Sequence, residues 1–103
     1  MLKEKQPEFD RSARESLYLK AIATYPLEER LAILAEESAE LIVALSHFRR
    51  DRIKTNEFLR ECADVYILLR QLKLMYPQEF EVARQEKLER LNRKLIKGDP
   101  NVR

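Results

Sequence analysis

Two pairs of acidic residues carry the chemistry open to this chain. Glu37 and Glu40 stand three residues apart, as do Glu61 and Asp64, and Glu36 adjoins the first pair. That spacing puts both members of a pair on one side of a helix. Brought face to face, the pairs would gather four carboxylates in one cleft. A carboxylate held on an apolar face without a partner is costly or takes up a proton, and several together titrate as a coupled set. A divalent cation removes the conflict. An all-oxygen ligand set suits a hard cation, Mg²⁺ or Mn²⁺, rather than zinc. Mg²⁺ usually keeps waters and takes substrate phosphates as further ligands, and four negative charges balance two such ions.

The elements that must position these residues follow from the prolines, the single glycine and the apolar spacing. Pro7 precedes a first helix over about 9–24, with Asp10 or Ser12 as N-cap. Pro26 suits the first turn of a second helix running to Arg49, in which Leu27, Leu31, Leu34, Leu41, Leu45 and Phe48 recur at helical steps. The polar stretch 49–54 reads as a loop. Thr55 is a plausible N-cap for a third helix ending near Tyr76. Pro77 opens a fourth, over about 78–97, with Gly98 as its C-cap and Pro100 preventing continuation. The short loop between the second and third helices predicts that they pack antiparallel. The fold class expected is all-α, a four-helix-bundle type core in one domain spanning 1–103, with flexible ends at about 1–8 and 98–103.

On that scaffold the acids stand where apolar residues belong. At about 100° per residue, the third helix centres its apolar arc on Phe58, Val65, Leu68, Leu69 and Leu72, and Glu61 projects almost through its middle. Asp64 lies on the flank. On the second helix Glu37 falls at the edge of the stripe and Glu40 one step further round, while Glu36 lies towards the polar side. The competing explanation is a surface charge pattern or structural salt bridges, with Arg30 and Arg60 as candidate basic partners.

Composition narrows the classes. The chain has 103 residues, 45% hydrophobic and 37% charged, with one Gly and four Pro, a helical rather than a β-rich profile. A chain of this length buries only about 60–65% of its unfolded surface, so its core is thin and gains from a partner subunit. The net charge of +2, with 18 acidic residues among 20 basic ones, argues against a nucleic-acid binder. Cys62 is the only cysteine, so no intrachain disulfide forms and a reducing compartment fits. The segment 1–8 is charged and has no apolar core, unlike a signal peptide. The longest apolar run, Leu41 to Leu45, is far too short to span a membrane. A cytoplasmic location is expected, with no membrane partner. One glycine excludes a Gly-rich phosphate loop.

The residues Glu36-Glu37-Ser38-Ala39-Glu40, then Glu61-Cys62-Ala63-Asp64-Val65, resemble the Glu-x-x-Glu … Glu-x-x-Asp signature of the MazG-like all-α nucleoside triphosphate pyrophosphohydrolases. Leu34-Ala35 before the first half, Leu41-Ile42 after it and the apolar run through Leu69 fit as well, and the resemblance covers about residues 27–95. It implies a Mg²⁺-dependent hydrolase that splits (deoxy)nucleoside triphosphates into monophosphate and pyrophosphate, many relatives serving as nucleotide-pool cleaners. It implies a homodimer, or a tetramer of two dimers, whose partner chain completes the core. Glu37, Glu40, Glu61 and Asp64 become the metal ligands. Glu37 or Glu40 becomes the group that orients or deprotonates water, and Glu36 an auxiliary. Lys87, Arg90, Asn92 and Lys94, in a segment similar to the basic last helix of small members, become candidates for holding phosphates or the nucleotide.

Two rivals stand beside this reading. Phosphoribosyl-ATP pyrophosphohydrolase shares the fold and the acidic pattern, but its members usually carry a Tyr-His after the Asp motif, and here Tyr66 is followed by Ile67. A non-catalytic dimeric helical module is the other, and such a protein has no need of Glu61 on an apolar face. His47 is read as a helix-end residue suited to the dipole, Cys62 as a packing residue, and the tyrosines and phenylalanines as core by default. Arg49, Arg50, Arg52 and Lys54 are read as a solvated loop.

Overall fold

The computed structural model describes residues 8–98, and 87% of them are helical, with no strand among them. Four helices follow in order: α1 Arg11–Thr24, α2 Leu27–Arg49, α3 Thr55–Met75 and α4 Pro77–Lys97. The all-α class expected from the sequence is what the chain adopts. The expected flexible ends lie outside the described residues, apart from Glu8 and Gly98.

Local chemistry sets the boundaries. Asp10 caps α1, its side chain accepting from the Ala13 amide at 2.8 Å. Tyr25 leaves the helix in an extended conformation, as the residue before a proline tends to do. Pro26 sits at the N-cap of α2 rather than within its first turn, and Glu28 and Glu29 supply negative charge beside the orphan amides. Thr55 is the first residue of α3 rather than its cap, because the Lys54 carbonyl accepts from the Glu57 and Phe58 amides. Pro77 opens α4 directly, one residue earlier than expected. Gly98 closes it in the left-handed conformation, its amide donating to the Lys94 carbonyl at 3.0 Å.

The α2–α3 connection is tighter than a polar loop suggests. Asp51 takes φ 58°, the Asp51 amide donates to the Phe48 carbonyl at 3.1 Å, and the Arg52 amide donates to that of His47 at 2.9 Å. These two bonds form a Schellman motif, with Asp51 where glycine usually stands. Asp tolerates the left-handed region better than most side chains.

The chain divides into two compact units, Met1–Gln71 and Leu72–Arg103, and α3 passes from the first into the second. Within the first unit the helices pack as in a bundle. On α2 a row of buried or half-buried positions runs Arg30, Leu34, Glu37, Leu41, Ala44 and Phe48, and on α3 a row runs Phe58, Glu61, Val65, Leu68 and Gln71. Alternating steps of three and four are the signature of a helix–helix seam. Phe48 stacks on Phe58 with ring centroids 4.6 Å apart, Glu37 meets Glu61 and Asp64, and Arg30 Nη1 donates to Gln71 Oε1.

This seam is narrower than the apolar stripes of the sequence. Leu27, Leu31 and Leu45 of α2 and Leu69 of α3 were expected on it and are exposed, since one neighbouring helix covers only part of a broad apolar arc. Tyr18 and Ala44 are the buried hydrophobic residues described, Arg30 and Gln71 the buried polar ones. In the second unit, the apolar Val82, Leu88, Leu91, Leu95 and Ile96 of α4 are exposed.

The left-handed Asp51 gives a direct test of the turn that fixes the register of α2 against α3. Replacing Asp51 with Val, which resists positive φ, is expected to destabilise the protein by about 1–2 kcal/mol, whereas Asp51→Gly is expected to be neutral or mildly stabilising. Chemical denaturation of the two variants beside the parent checks the ordering.

Candidate metal centre

Glu37 and Glu61 occupy seam positions on α2 and α3 and are half-buried, while Asp64, nearly one turn beyond Glu61, is exposed at the rim. One carboxylate oxygen from each lies within 4.8 Å of the other two. Two residues from the second acidic pair and one from the first are thereby gathered. Glu61 Oε2 is buried and has no hydrogen-bond partner in the protein. Buried carboxylate oxygens are normally paired, so an orphan next to two further carboxylates forms an all-oxygen donor set of the kind that suits a hard divalent cation.

Glu40, the fourth expected ligand, is exposed and stands outside this trio. It sits nearly one turn beyond Glu37 and still acts on it. The Glu37 carboxyl holds its proton to higher pH than an ordinary glutamate. Partial burial is the leading cause, followed by the charges of Glu40 and Asp64, a hydrogen bond with the Glu40 side chain, and the charge of Glu61. The like charges among these causes are what a divalent cation would offset. Glu36 is exposed, on the polar side of α2 as expected.

The salt-bridge alternative fails for these acids. Arg30 is buried but donates to Gln71, its Nε and Nη2 are left without partners, and Arg60 is exposed. Among the described residues the ion pairs are found elsewhere, in Arg11–Glu15 and Arg84–Glu81.

A cavity of about 460 Å³ adjoins the trio, with Glu40 and Glu61 among its lining residues. Ala39, Val43 and Ala44 of α2 and Ile53 of the connection supply apolar lining, and His47 and Glu57 are polar residues on it. Sequence reasoning left His47 as a helix-end residue and passed over Glu57. A usable signal was present: His47 follows Glu40 by seven residues and Glu57 precedes Glu61 by four, so each shares a helix face with an acid of the motif.

Lys87, Arg90, Asn92 and Lys94 are all exposed on α4 in the second unit. At 100° per residue Lys87, Arg90 and Lys94 share one face beside the Leu88–Leu91–Leu95 stripe, and Asn92 points well away from them. The four therefore do not form a single patch.

The cluster makes a pH prediction for the metal-free protein. The folded state binds the Glu37 proton more tightly than the unfolded state does. That contribution to stability is therefore full below the ordinary glutamate range and is lost as pH rises through the raised value. Melting temperature without divalent ions should fall over this window. In Glu61→Gln, which removes a repelling charge, the metal-free protein should melt higher by several degrees, about 1 kcal/mol corresponding to roughly 4–8 °C in a domain this small. A melt of the variant at or below the parent, near neutral pH, would show that Glu61 is not under repulsion.

Comparison with known proteins gives no match: no family model, no curated protein and no solved structure matches the chain.

Proposed function

We propose that the protein is a Mg²⁺-dependent nucleoside triphosphate pyrophosphohydrolase of the MazG-like kind. The observation that carries this reading is the convergence of Glu37, Glu61 and Asp64 oxygens within 4.8 Å, with Glu61 Oε2 buried and unpartnered. The two halves of the acidic motif stand on consecutive helices, α2 and α3, whose short connection favours antiparallel packing.

In this reading Glu37, Glu61 and Asp64 hold the cation, Mg²⁺ or Mn²⁺, and Glu40 stands beside it. When bound, the cation neutralises charge on the phosphate oxygens and makes water more acidic. Glu40, exposed beside Glu37 and outside the trio, is the carboxylate that would orient a water and accept its proton. That water attacks the α-phosphorus, the α–β bridging bond breaks and pyrophosphate leaves. Glu36, exposed one residue before Glu37, supports the negative field of the site without entering it.

A homodimer, or a dimer of dimers, belongs to the same reading. Residues 8–71 bury few side chains, while Ile42, Leu59 and Tyr66 are each more than half exposed. Large apolar side chains left bare on seam-forming helices are what a second copy would cover.

The test is a screen of ribo- and deoxynucleoside triphosphates with Mg²⁺ that reads pyrophosphate separately from phosphate. The expected result is pyrophosphate release from at least one nucleotide, reduced by about a hundredfold or more in Glu61→Gln. Full activity in that variant would remove Glu61 from the metal centre. No release from any nucleotide would favour the non-catalytic helical module.

A further inference from the structure

The cavity beside the carboxylate trio has a chemistry of its own. Its apolar lining, from Ala39, Val43, Ala44 and Ile53, suits the face of a flat ring rather than a sugar or phosphate. Its acidic end, Glu40 and Glu61, belongs to the proposed metal centre, so a ligand whose phosphates engage a cation there has its remaining part directed into this space. Its other polar residues are His47, from the last turn of α2, and Glu57, from the first turn of α3. Both are exposed, and neither side chain has a hydrogen-bond or ion-pair partner among the described residues. The Glu57 amide is already used, donating to the Lys54 carbonyl at 3.1 Å, so the carboxylate is the group that Glu57 offers to a ligand.

These two side chains present an unequal set of hydrogen-bonding groups. An ionised Glu57 can only accept, with two oxygens side by side, and a neutral His47 can donate from one ring nitrogen. The guanine edge is the complement: one carbonyl acceptor followed by two adjacent N–H donors. Adenine and cytosine each offer an amino group next to a bare ring nitrogen and satisfy part of the set. Uracil and thymine flank their single N–H with two carbonyls, one of which would face a carboxylate oxygen. A site built to bond particular donors rejects the base that lacks them, because its own polar groups are then left unpaired.

We infer that His47 and Glu57 read the base of the substrate, selecting guanine first, then adenine and cytosine, and rejecting uracil and thymine. This inference rests on the nucleotide reading proposed above and adds a specificity that the acidic motif does not contain. Glu57 is the discriminating residue, and His47 reinforces it at the carbonyl.

The test is binding rather than turnover. Isothermal titration calorimetry of the full chain with Mg²⁺ would compare the α,β-methylene analogues of GTP, ATP, CTP and UTP. The GTP analogue is expected to bind about tenfold or more tightly than the UTP analogue, the size of effect typical of a hydrogen bond to a charged group. Glu57→Gln, which keeps the shape and removes the charge, is expected to bring the two within about threefold, mainly by weakening the GTP analogue. Circular dichroism would check that the variant remains folded, and Glu57→Ala serves as a second variant with the same expected loss of preference. Equal affinity for all four analogues, or a preference unchanged in both variants, overturns the inference and leaves the nucleotide reading standing. Binding of none of the four, with or without Mg²⁺, overturns the nucleotide reading and this inference with it.

Discussion

The structure turns on carboxylates placed in a helix–helix seam. Glu37 and Glu61 occupy positions that the three–four spacing of their helices assigns to packing residues, and Asp64 closes on them from the rim. Among the apolar seam residues Leu34, Leu41, Ala44, Phe58, Val65 and Leu68, such groups reduce stability twice, through desolvation and through mutual repulsion. The remaining seam contacts must hold the helices together against that. The Phe48–Phe58 stack stands at the end nearest the connection, and the Arg30–Gln71 pair at the other. Between them the acidic segment is held at fixed register. The Schellman turn at Asp51 sets where α3 begins relative to α2, and so decides which residues face Glu37.

Arg30 adds a counterweight whose placement is informative. It lies seven residues before Glu37, roughly 10.5 Å along the helix axis, too far to pair with the acids. Its guanidinium is buried, with one hydrogen bond and two unpartnered nitrogens. A basic residue on the seam that does not neutralise the acids leaves their charge available to a cation. The same economy appears at the surface. The motif helices expose Ile42, Val43, Leu59 and Tyr66, so much of their apolar area lies outside the seam.

Much of this was legible in the sequence. Prolines and the lone glycine mark the helix ends because backbone geometry at those residues is local, and the boundaries fall within a few residues of expectation. The odd position of Glu61 was legible for a similar reason: helical periodicity fixes which side of a helix a residue occupies. What could not be read were features that depend on how two helices meet. The rows actually buried are narrower than the apolar stripes, which leaves Leu27, Leu31, Leu45 and Leu69 exposed. The separation of Glu40 from the trio depends on a rotation of about 60° round α2 relative to Glu37, a difference that a pattern of letters does not resolve. The cavity draws on α2, the connection and α3 together, so His47 and Glu57 acquire a shared setting only once the turn at Asp51 has brought the helices into register.

The central claim is that a divalent cation relieves the carboxylate trio. Its most direct test is a thermal-unfolding titration of the wild-type chain with MgCl₂, against NaCl at matched ionic strength, near neutral pH. The account predicts a saturating rise in melting temperature with Mg²⁺ that Na⁺ does not reproduce, since a ligand held only by the folded state stabilises it by about 2.7 kcal/mol at a hundred times its dissociation constant. A melting temperature that responds equally to the two salts would contradict it, leaving the trio as an acidic patch without an ion.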